Sequence, residues 1–277
     1  MRFFVLQSVV FFSDTQLIPQ GRVNFDLDPA VRLRACIDSI NKECPESSFC
    51  LIAGDLSHWG EALAYEVLKR ELSHLQMPCY LLMGNHDRRD NFLNVFPEHP
   101  VHPSGFIQYA LDLGDTRIIC LDTLEPGHRG GFLCQNRLEW LESQLANSEK
   151  ILLFMHHPPF KVGLPSMDED CLANGEELSD LLIPYKKNIQ HLFFGHIHRS
   201  ISGVWKEIGF SCPLSLVHQT PFDFADPKPN YISMEAPQYC KVMVYEDRVI
   251  VHHREFLQES GIAMPNRGRK RYPNPNP

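Results

Sequence analysis

Val9–Ser13, Phe49–Ala53, Cys79–Met83, Ile151–Met155 and His191–Phe194 are short and almost unbroken apolar runs, the pattern of strands covered on both faces. Between them the apolar positions return at helical spacing. Asp28-Pro29 predicts a helix start, with the aspartate as N-cap and proline at the first helical position. Val31, Leu33, Cys36, Ile37 and Ile40 then give that helix an apolar face. Glu61–Leu75 predicts a second helix, with Ala62, Tyr65, Leu68, Leu72 and Leu75 along one side. Leu138–Leu145 and Glu176–Leu182 predict two more. Phe106–Leu113 and Arg117–Asp122 read as strands joined by a tight turn at Gly114-Asp115. Lys241–Tyr245 and Arg248–His252 flank Glu246-Asp247 as a hairpin. An early βαβ rhythm followed by antiparallel pieces predicts a mixed α/β domain with two sheets. No repeat or interior linker interrupts it, so residues 1–258 are read as one domain, with 1–8 an extension ahead of the first strand. Arg267–Pro277 is basic and then rich in Pro and Asn, so residues 259–277 are read as a disordered tail.

Composition narrows the partners. The 277 residues carry a net charge of −8, which speaks against a nucleic-acid polymer as the main ligand, because phosphate backbones call for a basic face. A small phosphate ester remains compatible, since a bound metal supplies positive charge locally. No run reaches the roughly 18 apolar residues of a membrane span. Phe3–Phe12 has the look of a short signal sequence. It lacks a small-x-small cleavage site and leads straight into Asp14, so a signal peptide is not the reading adopted. The nine cysteines include no C-x-x-C pair, and Cys50, Cys79 and Cys120 sit in apolar runs. They read as reduced core thiols in a cytoplasmic protein.

The chemistry lies where the apolar runs end. Val9–Ser13 leads to Asp14-Thr15-Gln16, Phe49–Ala53 to Gly54-Asp55, and Cys79–Met83 to Gly84-Asn85-His86-Asp87. Ile151–Met155 leads to His156-His157-Pro158-Pro159, and His191–Phe194 to Gly195-His196-Ile197-His198. Residues at the carboxyl ends of neighbouring strands converge in space. Glycine before a functional residue permits a sharp turn and a close approach. A single strand-end Asp is commonly a cap, a single H-x-H an accident, and Asn and Asp favour turns. Five such groups in this order are not explained that way.

The order Asp-x-(His), Gly-Asp, Gly-Asn-His-Asp, His-His-Pro-Pro, Gly-His-x-His resembles that of the calcineurin-like metallophosphoesterases. Within them the chain is most similar to bacterial class III cyclic-nucleotide phosphodiesterases and related glycerophosphodiesterases. The likeness runs from Val9 to Phe256 and includes Ser166-Met167-Asp168, Asn174-Gly175 and Val217-His218-Gln219. It implies a four-layer αββα sandwich with two mixed sheets. It also implies a two-metal site, one ion on Asp14, Gln16, Asp55 and His198, the other on Asp55, Asn85, His156 and His196, with Asp55 shared. His156 is the implied ligand, and His157 its neighbour. His86 would be catalytic at the phosphate or leaving oxygen, Asp87 would orient His86 through a hydrogen bond, and Asn85, His86 and His218 would contact substrate. Oxygen and imidazole ligands without thiolate suit Mn²⁺ or Fe²⁺, with Zn²⁺ or Co²⁺ also accommodated. Two such ions about 3.5–4 Å apart can share a hydroxide that attacks phosphorus. The implied substrate is a small soluble phosphodiester, a 3',5'-cyclic nucleotide or a glycerophosphodiester, and the family likeness also implies a homo-oligomer.

One departure stands out. The family carries histidine where this chain has Gln16, and an amide oxygen binds mid-row metals less well than imidazole. Gln16 as a weak ligand, water in its place, or a largely vacant first site are the three outcomes to separate. Two other functions compete with the diesterase: a phosphomonoesterase on the same metal pair, and a phosphate-ester binding protein whose catalysis was weakened at Gln16.

Overall fold

The apolar runs become strands whose successive residues feed two different cores. The computed structural model describes residues 7–225, 231–257 and 263–265. In chain order the elements are β1 (Gln7–Phe12), α1 (Pro29–Glu43), β2 (Cys50–Ala53), α2 (Ala62–Leu72), β3 (Cys79–Leu82), α3 (Arg89–Val95), β4 (Tyr109–Leu113), β5 (Thr116–Cys120) and α4 (Gln135–Ala146). There follow β6 (Ile151–Phe154), α5 (Gly175–Leu182), β7 (Ile189–Phe193), β8 (Ile201–Trp205), β9 (Ile208–Cys212), β10 (Tyr231–Ser233), β11 (Gln238–Val244), β12 (Val249–Glu255) and β13 (Ala263–Pro265). One sheet has the order β12-β11-β1-β2-β3 and the other β4-β5-β6-β7-β9-β8. Each is mixed: β1, β2 and β3 are parallel, as are β5, β6, β7 and β9, while β11, β12, β4 and β8 join antiparallel.

Side chains alternate across a strand, so one strand can serve two layers. Leu152 and Phe154 of β6 join the core between the sheets, whereas Ile151, Leu153 and Met155 join the core under α4 and α5. Phe193 points into the first core and Leu192 and Phe194 into the second. Phe11 of the first sheet meets Phe154 and Phe193 of the second at centroid distances of 5.4 and 5.3 Å, which joins the two sheets face to face. Helices α1, α2 and α3 cover the outer face of the first sheet with Leu33, Ile37, Tyr65, Leu68 and Phe92. The result is the expected four-layer αββα sandwich.

Asp28 caps α1 as expected, its carboxylate accepting from Ala30 N at 2.9 Å. Val31, expected on the buried face, is 65% exposed; the buried neighbour is Arg32, which donates to the Leu216 and Val217 carbonyls. The first strand begins at Gln7, so Gln7 and Ser8 pair with Val244 and Met243 and do not lie in an extension. Ala263–Pro265 pairs with Tyr231–Ser233, so these three tail residues are a strand. The remaining residues of the expected extension and tail, 1–6, 258, 259–262 and 266–277, lie outside the described residues. The cysteines are free thiols. Among the described residues no helix is long and apolar enough to cross a membrane.

Candidate metal centre

The five strand ends meet at one edge shared by both sheets, and the chain reverses there at unusual cost. Asp14, Gln16, Asp55, His196 and His198 have φ of +58°, +45°, +50°, +68° and +47°. Side-chain-bearing residues seldom adopt this left-handed region, and where they do the strain is often tied to function. The motif glycines allow the groups to close up. A Cβ on Gly84 would lie 2.1 Å from Asp55 Oδ1, and one on Gly195 would lie 2.9 Å from Asp14 Oδ2.

The inward-facing atoms are those a metal would use. His156 Nδ1 donates to Ala53 O at 2.7 Å and His198 Nδ1 to His218 O at 2.8 Å, which turns both Nε2 atoms inward. His156 Nε2 lies 3.3 Å from Asp55 Oδ1, and His198 Nε2 lies 3.3 Å from Asp14 Oδ1. Asp14 Oδ1, Asn85 Oδ1, His156 Nε2 and His196 Nε2 are buried without a hydrogen bond among the described residues. Leaving four such atoms unmatched is costly unless a cation satisfies them. Ligand atoms of Asp14, Asp55 and His156 lie within 4.8 Å of one another. The donor set therefore fits divalent cations. Burial works against charge on Asp14, but His198 and His156 beside it hold its carboxyl below the usual range. Burial, then the neighbouring imidazoles, push His196 well below its ordinary value, so its Nε2 keeps a lone pair to offer.

Around these atoms the structure revises several expectations. His86 Nδ1 lies 2.6 Å from the His58 carbonyl, to which it donates, and its Nε2 is 3.8 Å from Asp55 Oδ2. Asp87 does not make the expected bond to His86. Its oxygens accept from the Leu56, Ser57 and Gly84 amides and the Tyr65 hydroxyl at 2.9–3.1 Å, so it ties the turn after Asp55 to the turn after β3. Burial and the charge of Asp55 raise its pKa to about 6, against the pull of those amides. Gln16 donates Nε2–H to Asp55 Oδ2 at 3.0 Å, and its Oε1 lies 2.5 Å from His58 Nδ1. His58, which the motifs did not single out, thus touches both Gln16 and His86; its ring stacks on His86 at 5.2 Å. Its signal was only an imidazole three residues after Asp55, a spacing without a motif. His157 is held by Thr123 Oγ1 and Arg129 O through its two ring nitrogens, and so stands behind the site.

The centre opens into a cavity of about 1360 Å³. Gln16, Asp55, Asn85, His86, Asp87, His196, His198 and His218 line its floor and wall. Trp59, Phe25 and Tyr231 add aromatic surface, and Arg88, Arg89 and Arg129 add positive charge. Arg89 is held by a two-pronged contact to buried Asp122 at 2.6 and 2.7 Å.

Comparison with known proteins bears on the family and the fold. The family model described as calcineurin-like phosphoesterase matches residues 8–200. The chain is 41% identical over 259 residues to a probable cyclic nucleotide phosphodiesterase of Rhodopseudomonas palustris, covering 91% of this chain and 94% of that one. It is 32% identical over 255 residues to a probable glycerophosphodiester phosphodiesterase of Arcobacter nitrofigilis, covering 90% and 93%. Among solved structures, a purple acid phosphatase from yellow lupin (Lupinus luteus) seeds shares the fold with a TM-score of 0.62 at 14% identity, over 94% of this chain and 52% of that one.

Proposed function

This chain belongs to the calcineurin-like phosphoesterases, and from that premise we propose that it hydrolyses a small soluble phosphodiester with two divalent metal ions. The observation that carries the reading is the convergence of Asp14 Oδ1, Asn85 Oδ1, His156 Nε2 and His196 Nε2, buried and unmatched, at the strand ends. Asp14, Asp55 and His198 would hold one ion; Asp55, Asn85, His156 and His196 would hold the other. Mn²⁺ or Fe²⁺ suits these ligands best, with Zn²⁺ or Co²⁺ accommodated. When bound, the pair neutralises the phosphoryl oxygens and makes water acidic enough to act as nucleophile near neutral pH.

The chain's own residues supply the rest. With Nδ1–H given to the His58 carbonyl, the His86 ring is fixed and its Nε2 is the atom that carries a proton to the departing oxygen. Asp87 acts at one remove, by holding the Leu56–Ser57 turn that leads to His58. Gln16 braces the shared carboxylate of Asp55. The cavity is large enough for a substituent on each side of the phosphate, and its aromatic and cationic surfaces suit a diester whose arms differ, such as a cyclic nucleotide or a glycerol-type diester. The supporting relatives are named for those two activities.

Turnover of bis-p-nitrophenyl phosphate and p-nitrophenyl phosphate, with Mn²⁺ and with chelator, tests the reading. Diester turnover above monoester turnover, abolished by chelator and by Asp55→Ala, is expected. Monoester turnover well above diester turnover would replace it with a phosphomonoesterase, and tight phosphate binding without turnover would replace it with a binding protein.

A further inference from the structure

Ahead of α1 the chain makes a reversal that its residues do not favour. Asn24 N donates to Leu27 O at 2.9 Å and Leu27 N to Asn24 O at 3.1 Å, which closes a two-residue hairpin loop. Its central residues, Phe25 and Asp26, have φ of +53° and +63°. Two successive left-handed residues are the geometry that Asn-Gly or Asp-Gly adopts readily, and a bulky ring at the first position is a steric outlier. Such strain persists when surrounding contacts over-determine it. Phe25 is 4% exposed and packs with Ile232 and Met234 in a small apolar cluster separate from the two main cores.

What that ring touches connects the turn to the metal centre. Phe25 lies 4.5 Å from the His218 ring, and His218 lies 4.7 Å from the ring of His198. The backbone around His218 is fixed separately. Arg32 holds the Leu216 and Val217 carbonyls, and Gln219 exchanges backbone hydrogen bonds of 2.7 and 2.9 Å with Ser233. The His218 ring lies against Phe25 on one side and His198 on another. Both Phe25 and His218 line the cavity.

We propose that Phe25 is a positioning residue, whose strained turn holds the His218 ring in place at the cavity wall as a preset contact for the bound phosphoester. This rests on the phosphoesterase reading above. A contact set in advance lowers the ordering cost of binding, so losing it weakens ground-state binding more than the chemical step.

A double-mutant cycle tests it with Phe25→Gly, His218→Ala and the pair. Glycine removes the ring while relieving the left-handed strain, which favours folding; Asp26→Gly relieves strain and keeps the ring. With bis-p-nitrophenyl phosphate and Mn²⁺, Phe25→Gly raises KM by about tenfold and changes kcat by less than about threefold, at unchanged metal content. Asp26→Gly keeps the wild-type KM. The pair is no worse than His218→Ala alone, because the ring then has nothing to position. Independent effects that multiply in the pair, a wild-type KM in Phe25→Gly, or metal loss in step with activity would each overturn the proposal. A wild-type protein inactive on the diester defeats the hydrolase reading alone. The same cycle is then read as inorganic phosphate affinity of the Mn²⁺-loaded protein by calorimetry, with the same outcomes deciding.

Discussion

Gly84→Ala puts the whole construction of the centre at stake with one methyl group. A Cβ there would lie 2.1 Å from Asp55 Oδ1, 2.4 Å from Asp55 N and 2.8 Å from His156 Cε1. Carbon and oxygen do not approach below 3.0 Å in real structures, so Asp55 would have to retreat by about 0.9 Å, a distance set by the contact limit. Asp55 cannot retreat freely. Its backbone already sits at φ +50°, and its Oδ1 also accepts from His86 N at 3.0 Å. His156 is pinned to Ala53 O. Overpacking of this kind costs about 3 kcal/mol. The larger effect falls on the metals, because ligand atoms must stay within about 0.2 Å of their places and Asp55 is the ligand both ions would share. We expect Mn²⁺ affinity to fall on the order of 100-fold, consistent with the effect of disturbing ligand support. Gly127→Ala is the control. Gly127 has φ +81° and open space around its missing Cβ, so alanine there costs about 1 kcal/mol of backbone strain and leaves the metals alone. Metal content after dialysis, Mn²⁺ titration by calorimetry and urea unfolding in chelator read the two variants side by side. A Gly84→Ala protein that binds Mn²⁺ like wild type would refute the placement of Asp55 at the centre.

Three further outcomes are expected. Gln16→His replaces an amide that braces Asp55 with an imidazole, and should lower the Mn²⁺ concentration for half-maximal activity about tenfold, roughly 1.4 kcal/mol; superimposable titrations would mean that a histidine at position 16 does not reach the metal. His86→Ala should keep its metal content, measured by mass spectrometry, and lose about 10²–10⁴-fold in kcat; equal loss of metal would make His86 a ligand. His99 accepts Leu81 N–H at its Nε2 at 3.1 Å, and burial lowers its pKa to about 4 from 6.5. Its neutral form is favoured in the fold, so its contribution is complete above about pH 6.5 and is lost as pH falls toward 4, at most about 3 kcal/mol. Urea unfolding of wild type and His99→Gln between pH 7 and pH 5 checks this, with the shallower slope expected in the variant.

The layers were legible because the strands are apolar on both faces and every proposed ligand follows such a run. What escaped the sequence was geometry that contradicts local preference. The β8–β9 hairpin turns at Lys206-Glu207, with φ of +52° and +70°, a pair that carries no turn signal. Its outer strand is largely exposed, so no apolar run announces it. Helix α3 is a short stretch, too brief for a period to show. Phe25-Asp26 hides the same kind of turn next to the centre.

The motif glycines teach the same lesson from the other side. A glycine before a ligand reads as the residue that turns the chain, and Gly54, at φ +86°, does so. Gly84 and Gly195 are not left-handed; they are there because neighbours occupy the space of a Cβ, the Asp55 carboxylate at Gly84 and the Ser13 side chain with the Asp14 carboxylate at Gly195. The turning at β1 and β7 is done by Asp14, Gln16, His196 and His198 themselves, and Asp55 continues the turn begun at Gly54. That places strain on the residues of the centre, where the surrounding bonds can hold it: Asp14 N to Gly54 O at 3.1 Å, Gln16 N to Asp55 O at 2.8 Å, Gly195 N to His156 O at 3.1 Å. These bonds tie the loop after β1 to that after β2 and the loop after β7 to that after β6, while Asp87 and His86 N tie the loop after β3 to the turn at Asp55. Loops braced this way are coupled, so one displaced loop carries its neighbours with it.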